Sequence, residues 1–288
     1  MSEHILAHLS GADAVLGNLI RAVGPCRLAP EADCQPFRAL AQAIAHQQLH
    51  RTAANSILAR LVHTCGQGAF PTPQMVLAAS TRSLRAAGFS FAKVAALRDL
   101  AEKTLAQVVP DAATLLALTD EEIIARLTEV RGIGRWTVEM LLIFELGRPD
   151  VLPVDDFGVR SGFRAAYGLA RMPRPQALAA FGERWKPYRS TAAWYLWRAL
   201  ELRRAGTLPI PVERIRLPRI ARRRRRARAR ARAVAATASA ATARDSARRR
   251  PRPLRGGDAS SAPPRRSGGR NRARRRRARR SRAPASRR

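Results

Sequence analysis

Leu127-Thr-Glu-Val-Arg-Gly-Ile-Gly-Arg-Trp-Thr-Val-Glu-Met-Leu-Leu-Ile-Phe144 reads as one helix running into a two-glycine turn and a second helix leaving it directly. Gly132 and Gly134 permit a tight backbone turn and the close approach of another chain. A turn of this kind presents amide N–H groups at a helix N-terminus, which is an anion site suited to a nucleic-acid phosphate. It reads shape rather than base sequence.

Outward from this hairpin the same periodicity continues. Apolar positions recur at three- and four-residue spacing in Ile5-Leu6-Leu9, Phe37-Leu40-Ile44, Ile57-Leu58-Leu61 and Val94-Leu97-Leu100, each a single helical stripe. Strand-like alternation is nearly absent, and no repeat of fixed period runs along the chain. Gly24-Pro25, Pro71-Thr-Pro73 and Pro110-Asp111 punctuate the segments, and Thr119-Asp-Glu-Glu122 places a cap and acids at a helix start. The expected fold class is all-α.

Twenty residues after the hairpin comes Asp150-Val-Leu-Pro-Val-Asp155-Asp156-Phe157-Gly-Val-Arg160-Ser-Gly-Phe163. Pro153 ends one element, and Asp155 or Asp156 stands where an N-cap would open a helix from Phe157 to Tyr167. Capping alone would explain such a carboxylate. Placed beside an anion-binding hairpin, it has a second use in chemistry.

Composition divides the 288-residue chain in two. Residues 213–288 hold 30 of the 54 Lys and Arg residues, with only Glu213, Asp245 and Asp258 as acids, whereas every Phe, Trp and Tyr falls within residues 1–212. A stretch without aromatic side chains has little with which to begin a core, so 213–288 is expected to be a disordered Arg-rich tail. It reads either as a polyelectrolyte that binds phosphates by counterion release or as GC-rich gene text read past its true end. Residues 1–212 suffice for one well-buried core or two small lobes around a cleft. The acidic start, MSEHILAHLSGAD, and the shortness of the densest apolar run, Met140 to Phe144, lead us to expect a soluble, unprocessed protein without membrane contact, and the unpaired spacing of its three cysteines a reducing cytoplasm; a monomer is expected.

Three segments together resemble a known family. Val130-Arg-Gly-Ile-Gly-Arg-Trp-Thr137, the Pro153-Val-Asp-Asp-Phe157 turn and Glu183-Arg-Trp-Lys-Pro-Tyr-Arg-Ser-Thr-Ala-Ala-Trp-Tyr-Leu-Trp197 are similar to the helix-hairpin-helix DNA glycosylases, in the DNA-3-methyladenine glycosylase II branch. The resemblance spans about Ala22 to Leu202, and Gln47-Gln-Leu-His50 resembles the family's Gln-Gln-Leu loop. It implies a compact core of two helical lobes around a cleft, without an added N-terminal β domain. It also implies damaged double-stranded DNA as the partner, in base excision repair close to the nucleoid.

The resemblance further implies a set of roles. Asp156 matches the catalytic carboxylate, which would stabilise an oxocarbenium-like sugar and orient or deprotonate the attacking water; Asp155 is left with capping or support. Trp136 and Trp197 match aromatic positions of the base pocket, and Met140 stands where some relatives carry Tyr. A cationic alkylated purine over an indole face gains roughly 0.5–2 kcal/mol, and its charge already makes it a good leaving group. Leu49 is the expected wedge into the vacated base stack, with Gln47, Gln48 or His50 on the opposite bases. Gly132, Ile133, Gly134, Arg135 and Thr137 complete the expected DNA contacts.

Trp136 occupies the position at which bifunctional relatives carry a Lys nucleophile, and none of Lys93, Lys103 and Lys186 lies in the hairpin. A monofunctional enzyme that leaves an abasic site is therefore expected. Cys26, Cys34 and Cys65 form no CxxC pair and none lies in the C-terminal half, so no iron–sulfur cluster is expected. No cofactor is required. A structural sodium or potassium ion on the carbonyls of Thr128, Val130 and Ile133 is implied by the resemblance only. The competing readings are a non-catalytic DNA-binding module and a glycosylase for another lesion such as hypoxanthine.

Overall fold

The computed structural model describes residues 3–31, 33–209, 215 and 217; the expected tail, 213–288, otherwise lies outside the described residues. Among the described residues the regular structure is entirely helical. In chain order the helices are α1 (Glu3–Ala12), α2 (Ala14–Val23), α3 (Pro36–His46), α4 (Arg51–Cys65), α5 (Pro73–Ala78), α6 (Thr81–Ala86) and α7 (Phe91–Leu105). Then follow α8 (Ala112–Ala117), α9 (Asp120–Leu127), α10 (Arg135–Phe144), α11 (Phe157–Ala166), α12 (Pro175–Gly182), a 3₁₀ turn (Glu183–Trp185) and α13 (Arg189–Ala205).

The punctuation behaves as its chemistry requires. Thr119 and Glu122 form a reciprocal capping box at the start of α9, and Ser80, Ser90 and Asp111 each accept a backbone N–H at the start of a helix. The apolar stripes face inward: Leu40 and Ile44 of α3, Leu61 of α4, and Leu97 and Leu100 of α7 are fully or almost fully buried.

Two cores result. The middle of the chain, α3 to α10, buries one apolar cluster, whereas α1 and α2 join α11, α12 and α13 in the other. Local periodicity could not announce this pairing of chain beginning with chain end. Asp13 fixes it: almost fully buried, its carboxylate caps α2 by accepting Leu16 N–H at 3.0 Å, and also accepts Tyr167 O–H at 2.6 Å and Trp185 Nε1–H at 3.0 Å. A carboxylate withdrawn from water is tolerable because three donors replace its hydration. Ile215 and Leu217, beyond the boundary expected at residue 212, also rest on the second core. Leu28 and Trp197 pack against both clusters, so Trp197 sits on the seam between the lobes.

Candidate active site

The hairpin is built by a short, strongly braced turn. Thr128 closes α9 by donating its hydroxyl to Ile124 O, Val130 and Ile133 fold back onto Leu127 O and Val130 O, and Gly134 opens α10 as its N-cap. The two glycines have different reasons. Gly132 has φ +79°, a left-handed conformation that L side chains rarely adopt. Gly134 has φ −105° and open space where a Cβ would stand, so its contribution is clearance for an approaching chain.

Side chains from elsewhere hold the turn in place. Asp99 accepts Arg131 N–H at 2.6 Å and the Lys103 ammonium at 2.9 Å, and Lys103 also donates to Glu129 O. Burial works against the Asp99 charge, yet these donors hold its carboxyl below the ordinary range. The Gln47 amide donates to Gly132 O at 2.8 Å, while Lys93 Nζ donates to Ala45 O and Gln47 O, both at 2.8 Å. The Gln47–His50 loop and the hairpin are thereby one hydrogen-bonded unit. Gln48 takes φ +57°, Leu49 is an exposed apolar side chain, and the exposed His50 precedes α4.

Several of the residues expected to face DNA are held by contacts within the protein. Gln47, half-buried, braces the hairpin with its amide, and the Ile133 and Thr137 side chains are buried. Arg135 donates to both oxygens of Glu121 at 2.6 and 3.0 Å and to Glu139 at 3.0 Å. Burial pushes the Glu139 carboxyl up, and Arg135 opposes that shift. Arg135→Ala should therefore cost about 1–2 kcal/mol, the half-exposed side chain being discounted for solvent screening, or a melting temperature about 5 °C lower. The dissociation constant for undamaged duplex should stay within about twofold, since no phosphate contact is removed. A large loss of affinity at unchanged melting temperature would restore Arg135 to the DNA contacts.

Asp156 lies at the seam. It, and not the exposed Asp155, is the N-cap of α11: Oδ1 accepts Val159 N–H at 2.6 Å. Oδ1 also accepts Trp197 Nε1–H at 2.8 Å, and Oδ2 accepts Trp136 Nε1–H at 2.8 Å. One carboxylate thus receives donors from α10, α11 and α13, at the positive end of the α11 dipole. Oδ1 has two donors and Oδ2 one, on the side where the Trp136 ring is 48% exposed. Oδ2 is the oxygen with a lone pair to offer a reacting group.

The two indoles approach Asp156 by their N–H edges. Met140 instead lines a cleft of about 240 Å³ between α3 and α10, with Gln42, His46, Thr137, Phe144 and Glu145. Phe144 joins cleft to carboxylate, since its ring also stacks on Trp197 at 5.5 Å. Burial, with Glu31 nearby, pushes the Glu145 carboxyl up. Sequence reading passed over Phe144, although it lies two helical turns beyond Trp136 on the same stripe. The fork of Lys93 onto the Gln47 loop carried no local signal.

Among the described residues no group of three or more His, Cys, Asp or Glu side chains could hold a metal ion, and no helix is long and apolar enough to cross a membrane.

Comparison with known proteins places this geometry in company. Residues 41–187 match the HhH-GPD superfamily base excision DNA repair protein family. The chain is 41% identical over 198 residues to DNA-3-methyladenine glycosylase 1 of Schizosaccharomyces pombe, covering 68% of this chain and 86% of that protein. The solved structure of the S. pombe 3-methyladenine DNA glycosylase in complex with abasic DNA aligns with TM-score 0.61 at 40% identity, over 68% of this chain and 95% of that one. A DNA-3-methyladenine glycosidase from Bacillus halodurans aligns with TM-score 0.64 at 32% identity, over 70% and 91% of the two chains.

Proposed function

Because the chain belongs to the HhH-GPD superfamily of base excision DNA repair proteins, we propose that it is a DNA-3-methyladenine glycosylase that excises alkylated purines, 3-methyladenine and 7-methylguanine, with Asp156 as its catalytic residue. The observation that carries the reading is the Asp156 carboxylate, held by three N–H donors and flanked by two indoles on the seam between two helical lobes. A module that only bound DNA would gain nothing from a carboxylate there, which repels phosphates.

The reaction follows from charge. The damaged nucleotide leaves the stack, at a cost of a few kcal/mol, and Leu49 supports the vacated duplex. The C1′–N bond breaks with its electron pair going to the base, which neutralises the alkylated purine. Positive charge grows on the sugar beside Oδ2, which stabilises it and takes the proton of the water that adds to C1′. No residue must protonate the base, since its own charge supplies that activation. The hairpin amides of Gly132 and Gly134 hold a backbone phosphate.

Strand cleavage is not part of this chemistry. The chain has three lysines, and all are engaged: Lys93 with two carbonyls, Lys103 with Asp99, and Lys186 with Glu183 at 2.8 Å. A Schiff-base route would need a free amine beside the sugar. The carbonyls of Thr128 and Ile133 accept no hydrogen bond from the described residues, and that of Val130 accepts Ile133 N–H at 3.0 Å. Such an oxygen set fits a monovalent cation that would bridge hairpin and phosphate.

The test is incubation of the protein with alkylated duplex DNA, scoring free bases and strand breaks. Free 3-methyladenine and 7-methylguanine are expected, with nicks appearing only after alkali. Tight DNA binding without base release would overturn the enzyme reading, and nicks before alkali would overturn the monofunctional one.

A further inference from the structure

We propose that Gly158 is a positioning residue for Asp156, its missing side chain leaving the space through which the Trp197 indole reaches the carboxylate. The inference rests on the reading of Asp156 as catalytic. Gly158 is the second residue of α11, inside a right-handed helix that any L side chain can adopt, so its backbone gives no reason for glycine. The reason is space. A Cβ at this position would stand 2.8 Å from Trp197 Cδ1, 3.0 Å from Trp197 Nε1 and 3.0 Å from Asp156 Oδ1. These are the partners of the 2.8 Å hydrogen bond that fixes Oδ1.

Neither partner has room to yield cheaply. The Trp197 ring is stacked on Phe144 at 28° and packed against both cores. Asp156 Oδ1 is simultaneously held by Val159 N–H at 2.6 Å, as the cap of the same helix. A methyl group in the gap therefore separates indole from carboxylate, or rotates the carboxylate about its Cα–Cβ bond and carries Oδ2 away from the sugar. Binding of the duplex does not run through this contact, because the hairpin and the Gln47 loop are braced separately. The loss should therefore fall on the chemical step.

The experiment compares full-length wild type, Gly158→Ala, Trp197→Phe, the double variant and Asp156→Asn. It measures single-turnover release of 3-methyladenine at saturating enzyme, affinity for a duplex with an abasic-site analogue, and melting temperature. Gly158→Ala should lower the single-turnover rate roughly 10- to 100-fold, as misplacement of a reacting group by about 1 Å does, with unchanged affinity and a melting temperature lower by only about 2–4 °C, the low end of what overpacking costs. In the Trp197→Phe background, which lacks the Nε1 donor that Oδ1 accepts, the same change should cost less than about threefold. A wild-type rate for Gly158→Ala, an equal fold-loss in both backgrounds, or a rate loss no larger than the unfolded fraction at the assay temperature would each overturn the inference. Asp156→Asn separates the two levels: if it excises normally, the catalytic reading itself fails, whereas its inactivity beside a fully active Gly158→Ala would remove only the role of Gly158.

Discussion

Asp156→Asn should lower single-turnover excision roughly 10³-fold, the scale on which removal of a preorganised electrostatic group is felt, while stability and affinity for abasic DNA stay close to wild type. Asn caps helices about as well as Asp, so the bond from Val159 N–H survives at Oδ1 and the start of α11 is kept. What disappears is the negative charge and the second acceptor. An amide NH₂ in the place of Oδ2 would face the Trp136 N–H donor with another donor. The same nitrogen could neither stabilise a cationic sugar nor accept a proton from water. Release of 3-methyladenine by both proteins at equal rates would show that Asp156 is only a cap. A parallel collapse of stability would show that its geometric duty dominates.

The features legible in the sequence were those written in a local code. Stripes such as Phe37-Leu40-Ile44 and the pattern Thr119-x-x-Glu122 specify helix faces and starts through contacts three and four residues apart, and the structure reproduces them. The pair Asp155-Asp156 stood out because a turn and a cap coincide there, and only the family resemblance chose Asp156 between the two. The unreadable features were those set by orientation across the seam. Along α10 each residue turns about 100°, so Trp136 reaches Asp156, Thr137 lines the cleft beside α3 and Arg135 swings to Glu121, although the three are adjacent. No periodicity says which of them will face DNA. Gln47 shows the same limit: its amide suits a base edge, and nothing local says that it also donates to Gly132 O, supplied by a segment 85 residues away. Asp13 gave no local hint that it would hold Tyr167 and Trp185.

Gly162→Ala should be the most damaging single methyl group in the described chain's site lobe, because it strikes the contact on which the seam depends. A Cβ there would lie 1.8 Å from Leu196 O and 2.6 Å from Leu196 C, the backbone of α13 at its closest approach to α11. A flexible side chain could rotate away, but a helix backbone can only be displaced as a unit, with Trp194, Tyr195 and Leu196 already buried in the second core. Overpacking of this severity belongs at the upper end of the usual 1–3 kcal/mol or beyond, so about 3 kcal/mol is expected, a melting temperature about 10 °C lower. Activity should fall with it, since the same approach brings Trp197, the residue after Leu196, to Asp156. The contrast with two other glycines makes the argument testable by thermal unfolding alone. Gly158→Ala crowds side-chain atoms and should cost only about 1 kcal/mol, and Gly134→Ala meets open space and should spare stability. If Gly162→Ala melts with wild type, α11 and α13 are not held at this spacing, and the carboxylate's third donor must be positioned by some contact other than the close packing of these two helices.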